Sequence, residues 1–246
     1  IVSAASSSLS ADGSSTSVVT VTLRDTYSNE LSGSGGTVTM EVASGSGSIG
    51  SVTDNSDGTY SATYTAGSVA GVARIEASVG ATRLNDVALI TLATGMATEA
   101  DTTLSVSSST FAADGSSTIT VTVQPRDSNG NAVTTGSHTL LVTASAGTLA
   151  NSGTPTRQAN GAYTVALTSP TTTGVITVTA TLGGSTIGSS ASVTAVADSA
   201  SSSTSMVSSA DGSLTPDGSS TTTVTIRLRD TNSNPLTYSG GTVTAS

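Results

Sequence analysis

Cysteine, lysine and tryptophan are absent from this chain, phenylalanine and histidine occur once each, and aromatic residues make up only 2% of it. The lack of cysteine removes any disulfide framework, which neither requires nor forbids export. The lack of lysine rules out Lys–Asn isopeptide crosslinks, so stability has to come from packing and backbone ladders. Seven arginines face sixteen acids, a formal charge of −9. With no basic patch, nucleic acid and anionic lipid are both disfavoured as partners. No apolar run approaches the ~18 residues of a membrane helix. Charged residues are only 9% of the chain, so hydroxyls and backbone carry most of its solubility.

What the chain does contain comes in copies. Ala11-Asp12-Gly13-Ser14-Ser15 returns as Ala113-Asp114-Gly115-Ser116-Ser117 and again as Pro216-Asp217-Gly218-Ser219-Ser220. An internal repeat of this kind governs every later reading. Each copy is followed by an alternating Thr/Val run, an Arg-Asp pair and an Asn-bearing turn: Arg24-Asp25 to Asn29, Arg126-Asp127 to Asn131, and Arg229-Asp230 to Asn234. Two complete units and a fragment result, with expected boundaries at 1–95, 96–197 and 198–246. Units of about 100 residues bury enough surface to fold alone.

Val19, Val21 and Leu23 alternate with Thr20, Thr22 and Arg24, the period of a strand buried on one face. Val38, Met40 and Val42 alternate likewise, as do Tyr60, Ala62 and Tyr64, then Ala73, Ile75, Ala77 and Val79. Residues 1–9 read as one short strand and residues 87–92 as the last. Asp57-Gly58 and Asn160-Gly161 are turn signals ahead of Tyr60 and Tyr163. Pro125 falls where Leu23 sits, so the second unit's strand ends or bulges there. Some seven short strands per unit, with no helical spacing, predict an all-β fold of tandem immunoglobulin-like antiparallel sandwiches in a linear array. The junctions, residues 93–101 and 197–203, are too short for free linkers, which predicts a semi-rigid rod. The chain begins at Ile1, and its third copy stops at a position matching Glu41 of the first. The expectation is a piece of a longer polypeptide that completes this copy. The alternative is completion by strands of a neighbouring chain.

No candidate catalytic, cofactor-binding or metal-ligating set emerges, and no enzymatic activity is expected. His138 is the sole histidine and recurs with no acid or nucleophile. There is no strand-to-helix phosphate loop and no Cys/His metal spacing. Arg24, Arg126 and Arg229 read as partners in local charged pairs with the Asp that follows each. Tyr60, Tyr64 and Tyr163 read as caps on the core. The aspartates Asp25, Asp127 and Asp230, with Asn29, Asn129, Asn131, Asn232 and Asn234, read as turn-formers acting through their own backbones. The competing reading for these and for Asp12, Asp114 and Asp217 is a junction or loop Ca²⁺, which needs six to eight oxygen ligands where each turn offers two or three.

The order Ala-Asp-Gly-x-Ser, alternating Val/Thr strand, Arg-Asp-x-x-x-Asn turn, Gly-x-Tyr strand and Gly-x-x-x-Val/Ile-x-Ala strand resembles the bacterial Ig-like domains of the intimin/invasin type. Its carriers are Ala11 to Ser15, Arg24 to Asn29, Gly58 to Tyr60 and Gly71 to Val79, with counterparts in the second unit. The third copy shows only the first two features. The resemblance implies serial spacers of a secreted or cell-surface bacterial adhesin, holding a distal module away from the outer membrane. The membrane barrel and lectin-like tip of family members match nothing here. The alternatives are an Ig-like structural or decoration subunit of an extracellular filament or phage particle, and a carbohydrate- or protein-binding module acting through loops at one pole. Expected partners are neighbouring repeats or copies of the same protein, with a host-cell, glycan or filament partner left open. Calorimetric titration with Ca²⁺ against a chelated sample tests the ion: the expected result is neither heat nor thermal shift.

Overall fold

A computed structural model describes residues 1–238 and 240–244; Ser239 and the last two residues of the third copy, Ala245 and Ser246, lie outside the described residues. Nearly all regular structure is strand. The chain divides into two compact units, residues 1–101 with 125–133, and residues 102–124 with 134–246.

In the first unit the strands are β1 (Val2–Ala4), β2 (Ser8–Ser10), β3 (Thr16–Thr22), β4 (Val38–Ser44), β5 (Gly47–Ile49), β6 (Thr53–Asp54), β7 (Thr59–Ala66), β8 (Gly71–Val79), β9 (Thr82–Arg83) and β10 (Ala88–Ala93). One sheet has the order β1-β3-β7-β5, with β6 also on β7; the other runs β2-β10-β8-β4, with β9 also on β8. All pairings are antiparallel except β2 with β10, which is parallel. Residues 1–9 are therefore not one strand, as expected, but two. The chain leaves the first sheet after Ala4 and joins the second at Ser8. The switch is fastened by the buried Ser17, whose Oγ accepts from the Ser6 N–H at 2.9 Å.

Alternation along each strand sends one set of side chains into the space between the sheets. Val19, Val21, Ala62 and Tyr64 from one sheet meet Ala73, Ile75, Ile90 and Leu92 from the other, all buried. The Tyr64 hydroxyl donates to the Ser46 carbonyl. The Tyr60 hydroxyl donates to the Gly36 carbonyl at 2.7 Å and accepts from the Gly35 N–H at 2.9 Å, pinning the loop before β4. Gly58 has φ +85°, and a Cβ there would collide with the Leu31 carbonyl, so the turn into β7 requires glycine.

The second unit repeats the plan with β11 (Thr103–Val106), β12 (Thr110–Ala112), β13 (Thr118–Gln124), β14 (Leu140–Ala144), β15 (Thr148–Leu149), β16 (Thr156–Arg157), β17 (Tyr163–Thr168), β18 (Gly174–Leu182), β19 (Ser185–Thr186) and β20 (Ala191–Val196). Its sheets are β11-β13-β17-β15 and β12-β20-β18-β14, and β12 again lies parallel to β20. Leu167 takes the buried place of Tyr64, and β13 ends at Gln124, just before Pro125.

From the third copy come β21 (Met206–Ser209) and β22 (Val224–Arg227), paired antiparallel like β1 and β3. Val224 and Ile226, counterparts of the fully buried Val19 and Val21, are 57% and 37% exposed. Residues 240–244 form no strand. In the first copy the residues equivalent to Val243 and Thr244 lie in β4, which pairs with β8.

Replacing Ile75, which is fully buried against both sheets, by alanine is expected to cost roughly 2–5 kcal/mol, read as a lower denaturant midpoint with an unchanged slope.

Candidate functional site

The recurring Arg-Asp turns are built alike. In each, the Asp N–H donates to the carbonyl of the Asn four residues on: Asp25 to Asn29 at 2.9 Å, Asp127 to Asn131 and Asp230 to Asn234 at 3.0 Å. The residue before that Asn takes a left-handed conformation: Ser28 at φ 67°, Gly130 at 79° and Ser233 at 69°. One oxygen of the aspartate then accepts the N–H groups two and four residues ahead, as Asp127 Oδ1 does from Asn129 and Asn131, at 3.0 and 2.9 Å. The Asn carboxamide closes the loop by donating back to the carboxylate, as Asn131 Nδ2 does to Asp127 Oδ2 at 3.0 Å. Asp and Asn thus shape the turn through backbone groups, as their residue types suggest.

Two of the arginines behave differently from expectation. Among the described residues, the side-chain hydrogen bonds and ion pairs of Arg24 and Arg229 run to groups other than the aspartate that follows. Arg24 donates to the Ser28 carbonyl at 3.2 Å and pairs with Glu30 at 2.6 Å. Arg126 and Arg229 donate to the Gly130 and Ser233 carbonyls, Arg126 at 2.6 Å and Arg229 at 2.5 Å. Adjacent residues on an extended chain point to opposite sides, which turns the Arg24 and Arg229 guanidinium groups away from the neighbouring carboxylate.

The turn 125–133 belongs to the first compact unit, and there its remaining polar groups are used. Asn131 Oδ1 accepts from the Ala70 N–H and Nδ2 donates to the Ser68 carbonyl, both at 2.9 Å. Asn129 Nδ2 donates to the Ala11 carbonyl at 3.0 Å, and the Gly95 N–H donates to Asp127 Oδ2 at 2.9 Å. The second unit contains the same set. Asn234 accepts from the Thr173 N–H at 3.2 Å and donates to the Thr171 carbonyl at 2.9 Å. Asn232 donates to the Ala113 carbonyl at 3.1 Å, and the Asp198 N–H donates to Asp230 at 3.2 Å.

The two recurring motifs therefore meet: the Ala-Asp-Gly turn offers its alanine carbonyl, and the Asp/Asn turn takes it. Asp12 fixes that carbonyl's turn by accepting the Ser14 and Ser15 N–H groups at 2.8 and 2.7 Å and the Ser15 hydroxyl at 2.6 Å. Asp114 is held in the same way.

Burial follows. Asp127 and Asp230 are 1% and 0% exposed. Burial pushes their carboxyls up, but the Asn carboxamides and surrounding N–H donors outweigh it and hold both below the usual carboxylate range. Asp25 lies in the open, lowered chiefly by the Asn29 carboxamide, and Tyr27, in the place of Asn129, is 85% exposed. Asp12, Asp114 and Asp217 are held low first by the hydroxyls of Ser15, Ser117 and Ser220. A cation at Asp127 would have to displace N–H donors from both carboxylate oxygens. His138 stands edge-on to Tyr163, with ring centroids 6.1 Å apart, and its backbone N–H donates to the Tyr163 hydroxyl.

Asn129, Asn131, Asn232 and Asn234 were legible as turn residues only. The overlooked signal was the Asp-x-Asn-x-Asn spacing, present in the second and third copies and altered to Asp-x-Tyr-x-Asn in the first.

The family model for invasin domain 3 matches residues 1–95 and again 98–198. Among solved structures, InvD of Yersinia pseudotuberculosis is 28% identical with a TM-score of 0.57, covering 96% of this chain and 71% of its own. The Escherichia coli adhesin FdeC is 22% identical with a TM-score of 0.60, covering 96% of this chain and 74% of its own. Invasin, an integrin-binding protein, is 20% identical at a TM-score of 0.53, covering 92% of this chain and 46% of its own. No curated protein matches the sequence.

Asn131→Ala is expected to destabilise the first unit by about 1–2 kcal/mol, since it removes the bonds to the partly buried Ala70 N–H and the exposed Ser68 carbonyl. The same change at Asn29 should cost less, because that carboxamide serves only its own turn; denaturant unfolding compares the two. Asp127 binds protons less readily folded than unfolded, so its stabilisation is present above the usual carboxylate range and is lost as pH falls through its folded value. Melting temperature should therefore drop below about pH 4, and Asp127→Asn should reduce that slope.

Proposed function

Since the chain belongs to the invasin domain 3 family, we propose that its repeats are spacer modules of a bacterial surface adhesin, with no enzymatic activity, that hold a distal module away from the cell. The observation that carries this reading is the recurring joint. The groups through which an Asp/Asn turn is recognised, two or three backbone carbonyls and N–H groups, occur at the same places in successive copies. Such chemistry specifies another repeat of the same kind. On this reading the boundaries 1–95, 96–197 and 198–246 mark the building blocks, which add reach copy by copy. Invasin is an integrin-binding protein; here the spacer reading assigns no recognition to the repeats themselves.

A lateral-packing filament subunit would assemble, whereas a spacer would not. Sedimentation velocity over a wide concentration range is expected to give a 23.7 kDa monomer with a high frictional ratio at every concentration. Concentration-dependent assembly would replace the spacer with the filament reading.

A further inference from the structure

The strand switch near the start of each repeat has a mechanical consequence. The incoming segment, β2, and the outgoing strand, β10, lie side by side and point the same way, with Ser8, Leu9 and Ser10 opposite Thr91, Leu92 and Ala93. The patch is closed at its two ends by the Thr91 N–H donating to the Ser7 carbonyl at 2.8 Å and the Ala11 N–H donating to the Ala93 carbonyl at 2.9 Å. In the second repeat β12 and β20 do the same, with Thr194 donating to Ser109 at 2.8 Å and Ala113 to Val196 at 2.7 Å.

Consider tension applied through the chain on either side of one repeat. It pulls the start of β2 toward one pole and the end of β10 toward the other. Because the strands are parallel, the two pulls run along the strands in opposite senses, and every bond of the patch is loaded at once. An antiparallel hairpin pulled at its open end instead parts one bond at a time. Two further ties brace the incoming chain: Asp86 accepts from the Val2 N–H at 2.8 Å, and the Leu104 N–H donates to Ser189 at 3.1 Å. Packing adds to the resistance, since Leu92 and Phe111 are buried beside the patch. We propose that the β2–β10 and β12–β20 pairings are shear clamps that make each complete repeat a load-bearing element, resisting force directed along the chain. The pairing geometry stands on its own; that the ends are under tension rests on the spacer reading.

Single-molecule pulling on the full chain, held by cysteines added beyond both ends, tests this directly, because the protein has no cysteine of its own. Two high-force events are expected, each releasing on the order of 300 Å of chain. Ala11→Pro deletes the Ala11 donor and should lower the force of one event while leaving the other; Ala113→Pro should do the converse. Ile49→Ala, in β5 at an edge of the other sheet, should lower chemical stability and leave both forces unchanged. If Ala11→Pro prevents the first repeat from folding, relocated handles decide. Pulling between Val72→Cys and Ala93→Cys, flanking positions on adjacent strands, unzips β8 from β10 and should need clearly less force than end-to-end pulling. Equal forces in the two geometries would overturn the clamp, as would an end-to-end force that Ala11→Pro does not change in a folded protein. A monomer that unfolds at the unzipping force loses the clamp and keeps the spacer role.

Discussion

Sharing the first ten residues of each repeat between two sheets is the constraint on which the rest of the architecture depends. If β1 continued straight, the second sheet would lack its edge and the sandwich would be open on that side. The switch needs polar residues with short reach. Ser6 and Ser17 provide it in the first repeat, where the Ala5 N–H also donates to the Val18 carbonyl at 2.8 Å. Ser107 and Thr120 provide it in the second, exchanging side-chain and backbone bonds at 2.9 Å. Serine tolerates such kinks because its hydroxyl can replace a backbone partner. The same switch positions Ala11 and Ala113, whose N–H groups close the parallel pairing and whose carbonyls receive an asparagine.

The core that this closure encloses is made almost wholly of Val, Ala, Leu and Ile, with tyrosine hydroxyls tied to loop backbone at its rim. Equivalent positions exchange chemistry without disturbing the plan. Glu41 and Glu76 face one another on β4 and β8, a like-charge pair made tolerable by Arg74 and Arg83 at Glu76. In the second repeat Thr143 and Thr179 stand opposite and share a hydrogen bond of 2.8 Å. Tyr64 and Leu167 fill one site with and without a hydroxyl. Two facing sheets specify volume and polarity at such points, and different pairs satisfy them.

The sandwich and its strands were readable because period-2 alternation is a strong signal when one face is buried; Val19 to Leu23 and Ala73 to Val79 show it cleanly. The division of residues 1–9 was not, since the Ala4-Ala5 pair and the three serines that follow carry no periodicity to say which sheet receives each half. The Arg24-Asp25 and Arg229-Asp230 pairs misled for a related reason. Neighbours in sequence suggest contact, whereas an extended backbone turns them apart. The asparagines were recognised as turn-formers because that role is local. Their bonds to Ser68, Ala70 and Ala11 span some sixty to one hundred and twenty residues, and no local pattern encodes such a distance.

The joint made by the Asp/Asn turn also bears on how such a chain changes length over generations. The second copy carries both complementary halves, the Ala113 carbonyl in one place and Asn129 in another. The first carries only the alanine carbonyl, because Tyr27 stands where the second has Asn129. A further copy of the second kind would therefore bring its own matching mate, so reach can grow by whole repeats without compensating substitutions.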